Sequence, residues 1–382
     1  MLPKKILHAL EQREDIGQRV LSQVAGVNES TISRYLHGYE ELNFESALKI
    51  VKLLFPDQEK ELMQEYVLTQ KSRNARYALE YCTMNRLPAH CEQIIDILAS
   101  SSNPIDKEWA TLYRFTRIQN QQQLHPLELL KQIEIFNPKQ LEVQILKTII
   151  KAYIFVELND YQSLKLYMKD IEISIANVKS SFMQNCLNIR VGLIMNYATL
   201  YGNDIPKARH YSHLVINQHY FPHVKALAFH HLGHSYLFED YKKANQYLSL
   251  AYKSFIENNN ETLAYSSQLT LSFIQSYWRI ERDFPFELKG HKEKTEYIYY
   301  LIQLRETDQA KQVMDEIDVK DLSNWSKGFY YYFQGLLSGE KDAFYHSVDY
   351  FRRAGDAFHR RLPIDELKRM NENAILIKIF SN

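Results

Sequence analysis

The chain has 382 residues with 46 acidic and 46 basic side chains and a formal net charge of zero, so affinity for nucleic acid must come from a local patch and not from the whole surface. Eleven glycines and ten prolines, about 3% each against usual values near 7% and 5%, together with abundant Leu, Lys, Glu and Gln, exclude a β-rich fold and predict an all-helical one. No apolar run approaches the roughly 20 residues of a membrane span, and the opening MLPKKILHALEQRED lacks a secretory h-region. Cys82, Cys91 and Cys186 form no CxxC, so a cytoplasmic chain with reduced core thiols is expected.

The first strong signal is residues 18–38, QRVLSQVAGVNESTISRYLHG, which read as a helix-turn-helix. Leu21 and Val24 supply an apolar face, Ala25-Gly26-Val27 the tight turn with Gly26 free to take φ > 0, and Asn28 a cap for a helix over Glu29–His37. Ile32 and Leu36 face inward at four-residue spacing. Asn28, Glu29, Ser30, Thr31, Ser33 and Arg34 are left as the DNA-facing set, where a recognition helix meets base edges and phosphates. A plain helical hairpin would need neither the glycine turn nor the small polar outer face. Charge in the first 38 residues is weak, with Lys4, Lys5, Arg13, Arg19 and Arg34 against Glu11, Glu14, Asp15 and Glu29.

Leu42, Ala47, Leu48, Val51 and Leu54 extend the amphipathic pattern and close a small bundle, which Phe55-Pro56-Asp57 ends. A helix over 59–68 leads to Lys71, Arg73, Arg76 and Arg86, opposed only by Glu80. This excess is either solvated helix surface or a flank that touches phosphates, with Arg73 and Arg76 as the candidates. From about residue 75 the chain repeats. LGHSYLFEDYKKANQYLSLAYKSF (232–255) carries Leu232, Gly233, Tyr236, Tyr241, Ala244, Tyr247 and Ala251 at tetratricopeptide-like positions, and looser echoes stand at 152–167, 198–216, 299–317 and 331–358. Units drift between about 30 and 50 residues around the expected 34, giving a right-handed α-solenoid of roughly eight helix pairs. Small residues let helices approach, while the 27 tyrosines bury rings and keep hydroxyls for the concave surface.

At the C-terminal end, Leu362-Pro363 opens a last helix over 364–380. Ile375, Leu376, Ile379 and Phe380 form an apolar stripe on it that either caps the solenoid or pairs with a second chain; a helix-turn-helix protein commonly binds two half-sites, which favours the dimer. The expected domains are therefore 1–55 (helix-turn-helix), 56–74 (linker helix), 75–361 (solenoid) and 362–382 (capping and dimerisation helix). No phosphate-binding glycine loop, HExxH or GxSxG is present, so neither an enzyme nor a cofactor is expected. His230 and His234 have zinc-compatible spacing, but no third ligand on that helix supports a metal.

Beyond these patterns, FPDQEKELMQEY (55–66), ARYALEY (75–81), the LG-x-S-x-LF run at 232–238, Trp278-Arg279 and DYFRRAGDAFHRRLPIDELKRMNEN (349–373) resemble the arbitrium peptide receptors (AimR) of temperate phages. These belong to the wider group of tetratricopeptide-type quorum-sensing receptors. The likeness spans nearly the whole chain. It implies a homodimer joined through the C-terminal helix that, without peptide, binds a double-stranded DNA operator and activates a transcript favouring lysis. An imported signalling hexapeptide, often ending Arg-Gly-Ala, enters the solenoid, ends activation and leads to lysogeny. By position, Phe273, Glu296 and Asp356 match family residues at the peptide, and the two carboxylates suit an arginine. Leu237, Trp325 and Phe358 complete that set.

This chain departs from the family where Tyr197, Tyr201, His223 and His234 stand in place of Asn or Arg. Rings there predict a ligand whose variable residues are more apolar or aromatic-compatible. A solenoid adaptor that sequesters a protein partner in response to peptide, without DNA binding, is the competing reading, and a phosphatase-assisting role is a third.

Overall fold

The computed structural model describes residues 2–13, 15–218 and 220–381, and all regular structure among them is helical, with no strand. The chain divides into two compact units, Met1–Ile154 with Tyr167–Leu187, and Phe155–Leu166 with Asn188–Asn382. Helices adjacent in sequence pack side by side within each unit, as in a solenoid.

In the first unit, helices Gln18–Ala25 and Glu29–Leu36 flank Gly26, whose φ of 68° lies in the left-handed region that a side chain would strain. The amides of Gly26 and Val27 return to the carbonyls of Gln23 and Ser22 and close the first helix. Leu21 and Ile32 are fully buried and Leu36 nearly so, as the spacing predicts. One local expectation is corrected. Asn28 takes the N-cap position with extended backbone, but its side chain accepts no capping hydrogen bond; this helix end is exposed, so water reaches the free amides. Helix Phe44–Leu54 is capped by Asn43, whose side chain accepts from the Ser46 amide at 2.9 Å. The Phe44 ring meets Tyr81 and Phe182 edge-on at 5.7 and 5.4 Å. Asn74 brackets the start of the same helix, accepting from Phe44 N at 2.9 Å and donating to Leu42 O at 2.8 Å. Glu45 accepts from the hydroxyls of Ser180 and Ser181 and from Phe182 N. The helix-turn-helix is thereby fastened to the helices that follow it in this unit.

In the second unit the close approach of helices is visible at Gly233. A Cβ there would stand 2.8 Å from Leu248 Cγ, 2.9 Å from Leu248 N and 3.0 Å from Ala244 O, so only glycine lets Lys225–Ser235 meet Tyr241–Glu257 at this depth. Gly328 and Gly335 similarly lie against the faces of Phe351 and Phe344. Several hairpins share one punctuation: a left-handed residue followed by a side chain that caps the next helix. Asn203, Asn259 and Gly355 supply the positive φ. Asp204, Asn260 and Asp356 then accept from the amides of Lys207, Leu263 and His359 at 3.4, 3.3 and 2.9 Å. Such caps each contribute about 1 kcal/mol.

The C-terminal expectation is corrected as well. Pro363 does not open the last helix but lies inside Ala357–Arg369. The proline removes one backbone hydrogen bond, while the Asp356 cap and burial of Phe358, Leu362, Ile364 and Leu367 carry the helix through it. The break comes at Asn371, with φ of 54°, and a separate helix Ala374–Ser381 follows. Ile375, Leu376 and Ile379 point outward at 70%, 38% and 61% exposure. Phe380 turns back, its ring 5.7 Å from that of Tyr345.

Candidate functional site

On the helix Glu29–Leu36, Asn28, Glu29, Ser30 and Arg34 are exposed and Thr31 and Ser33 half-buried. Arg34 Nη2 pairs with Glu40 Oε2 at 2.7 Å, with both side chains open to solvent. Such an exposed pair is worth little, ~0–1 kcal/mol, and a phosphate or base can replace it. Arg73 reaches the hydroxyl of Tyr77 and remains accessible. Arg76 is differently placed: its Nε lies 3.0 Å from Asp106 Oδ1, and Asp106 is 1% exposed and also accepts from Ser101. That guanidinium serves to neutralise a buried carboxylate.

The second unit holds two cavities that share the indole of Trp325. One, of about 140 Å³, is lined by residues that include His234, Leu237, Thr270, Phe273, Glu296, Trp325, Phe329 and His359. The other, of about 390 Å³, is lined by Asn159, Tyr197, Tyr201, Ser323, Asn324, Trp325, Arg353, Ala354 and Asp356. Eight of the ten peptide candidates read from the sequence thus converge on these two spaces. Phe358 sits behind the first cavity, 1% exposed, with its ring 5.3 Å from His234 and 4.9 Å from Phe238. His223 stands on the turn Pro222–Val224 with its ring against Phe221 and lines neither space.

Two carboxylates in this region behave differently. Glu296 Oε2 is buried without a hydrogen-bond partner. Burial pushes its carboxyl up to about 8, and the field of Arg282 offsets this only in part. Arg282 itself is held by Ser272 and Ser276. The second carboxylate, Asp356, is fully engaged. Its Oδ1 accepts from His359 N at 2.9 Å. Its Oδ2 accepts from Trp325 Nε1 at 2.9 Å and lies 2.6 Å from His359 Nδ1. His359 Nε2 in turn lies 3.0 Å from His234 Nε2. Burial drives His234 well below the ordinary imidazole range, with the neighbouring His359, His230 and His231 adding to it; His230 falls to about 4 and His231 to about 3. The ring nitrogens that suggested zinc are used elsewhere, His230 Nδ1 against Ser267 Oγ at 2.9 Å and His234 Nε2 against His359.

His359 and Arg282 were not singled out by the sequence. The available signal for His359 was its position three residues after a Gly-Asp helix start, where a capping carboxylate meets the ring at i+3. Arg282 lies in the irregular segment 278–290, where no periodicity points inward.

Residues 59–369 match the family model for AimR transcriptional regulator-like proteins. The AimR transcriptional regulator of Bacillus phage SPbeta is 27% identical over 339 residues, covering 88% of this chain and 87% of the relative. That of Bacillus phage phi3T is 25% identical over 349 residues, covering 89% of each. Among solved structures, SeMet-phAimR superposes with a TM-score of 0.81 at 24% identity over the full length of both chains. That of phAimR-Ligand gives 0.71 at 25% identity, covering 87% of this chain and 98% of the other. With most of its length inside the family model and its helices in the family's arrangement, the chain belongs to the AimR transcriptional regulator-like family, whose members regulate transcription and are not enzymes.

Proposed function

We propose that the chain is a peptide-responsive, DNA-binding transcriptional regulator that acts in the host cytoplasm on the phage choice between lysis and lysogeny. In this reading the peptide-free homodimer binds an operator through Asn28, Glu29, Ser30, Thr31, Ser33 and Arg34, flanked by Arg73, and activates transcription. A short signalling peptide containing arginine enters the cavities around Trp325 and ends activation. Ile375, Leu376 and Ile379 join the two chains.

The observation that carries the ligand side is Glu296: a buried carboxyl oxygen without a partner, in a cavity walled by Phe273, Trp325 and Phe329. Leaving such a group unsatisfied costs about 1–3 kcal/mol, and a guanidinium supplies the missing donors and charge. The cavity at Glu296 has room for one side chain, and the wider space beside Tyr197 and Tyr201 for backbone and neighbouring residues. Asp356, already holding three partners, supports the site through Trp325 and His359 and does not clamp the ligand alone. Calorimetry with hexapeptides ending Arg-Gly-Ala, followed by gel shift of the upstream region with and without peptide, tests the whole. Binding that releases the DNA is the expected result, and absence of binding by every such peptide refutes the receptor role.

The adaptor reading draws on the weak charge of the first 38 residues and, beyond them, on the engagement of Arg76 by Asp106. It predicts peptide binding with no gel shift.

A further inference from the structure

His234 is 5% exposed and lines the smaller cavity, and its Nδ1 is buried without a hydrogen-bond partner. The protons along the chain of side chains behind it follow from chemistry. Asp356 Oδ2, as a carboxylate oxygen, only accepts, so Trp325 Nε1 and His359 Nδ1 both carry hydrogens toward it. The His359 ring is 2% exposed and surrounded by Phe273, Trp325, Phe329, Phe351 and Phe358, with the Asp356 carboxylate at its Nδ1. A neutral His359 leaves a lone pair at Nε2, in which case His234 Nε2 carries the hydrogen between the two rings. A neutral His234 then has a bare lone pair at Nδ1.

On the peptide reading above, we infer that the Trp325–Asp356–His359–His234 series fixes the His234 tautomer and makes Nδ1 a dedicated hydrogen-bond acceptor, so that the ligand group seated against it must be an N–H or O–H donor. Glu296 Oε2, once its carboxyl is ionised, is a second acceptor without a partner in this cavity. A group that serves both must present at least two donors, and a ligand carrying a carbonyl or ether oxygen at this point is rejected by lone-pair repulsion. His359 is therefore a positioning residue that sets specificity through the His234 ring.

The test labels the full-length chain with ¹⁵N-histidine and reads the His234 ring by long-range proton–nitrogen correlation, the signal being assigned from its loss in His234→Asn. The peptide-free chain should show hydrogen on Nε2 and none on Nδ1. His359→Gln keeps an amide donor toward Asp356 and a carbonyl acceptor toward His234, and should preserve that pattern. His359→Leu removes both and should give mixed tautomers. Hydrogen on His234 Nδ1 in the unmodified chain, whether as the other tautomer or as imidazolium, overturns the inference. Calorimetry with an Arg-Gly-Ala-ending hexapeptide adds the specificity arm. His359→Leu should weaken binding about tenfold, the worth of one hydrogen bond, and His359→Gln should restore it. Equal affinity in both variants removes His359 from specificity. If the spectra are as expected and no such peptide binds, the fixed acceptor stands and the receptor function fails.

Discussion

Glu296 gives the most quantitative handle on this protein. Burial pushes its carboxyl up to about 8, so at pH 7 it is mostly protonated, whereas a bound guanidinium needs it ionised. Ionising it at pH 7 costs about 1.4 kcal/mol, one pKa unit. Peptide binding should therefore tighten as pH rises: about tenfold from pH 6 to pH 7, about fivefold more to pH 8, and little beyond pH 9. Binding at pH 7 should also release close to one proton, seen as a dependence of the calorimetric heat on buffer ionisation enthalpy. Folding shows the opposite sign. The unfolded carboxyl ionises near 4.5 and the folded one near 8, so this group's contribution is most favourable below pH 4.5 and is lost as pH rises to 8. Glu296→Gln should accordingly raise Tm more at pH 8 than at pH 5, abolish the pH dependence of binding and weaken affinity above pH 8. A dissociation constant that stays flat from pH 6 to pH 8, or binding that takes up a proton, refutes the account of Glu296 as the ligand's counter-ion.

Other outcomes follow from separate parts of the molecule. Leu376→Glu, placed on the outward stripe of Ala374–Ser381, should give monomers with an unchanged helical spectrum and poor operator binding; a dimer by light scattering makes that helix a cap only. Arg34→Ala should weaken operator binding by about 1–3 kcal/mol if the guanidinium reaches guanine, and an unchanged gel shift favours the adaptor. Gly233→Val drives side-chain carbons into the backbone of Leu248 and Ala244, and should lower stability by about 3 kcal/mol or more in chemical denaturation, whereas an unchanged midpoint means that the two helices can part without penalty.

The helical class, the glycine turn at 26 and the close contact at Gly233 were legible because each depends on local residue chemistry repeated at fixed spacing. Most of the cavity lining was legible through positional resemblance, which carries residues across without their partners. What it could not carry is who else uses a side chain. Asp356 and Glu296 read as two equivalent carboxylates, yet one is saturated by a helix amide, an indole and an imidazole while the other has a bare oxygen. Arg73 and Arg76 likewise read as one basic patch, and the partner that separates them, Asp106, lies 30 residues beyond Arg76. Pro363 reads as a helix start by its local preference, which the cap at Asp356 and the buried positions around it override.

The dual employment of Asp356 also limits how such a receptor can diverge. Its two oxygens close a hairpin start that recurs along the chain and at the same time orient an imidazole of the cavity wall, so a substitution there alters folding and recognition together. New ligand preferences are easier to reach at Tyr197 and Tyr201, where a side chain meets the cavity without capping a helix. A lineage that changes its signal can exchange these rings freely, provided the carboxylate beneath them is kept, and two receptors can become deaf to each other's peptides while sharing one scaffold.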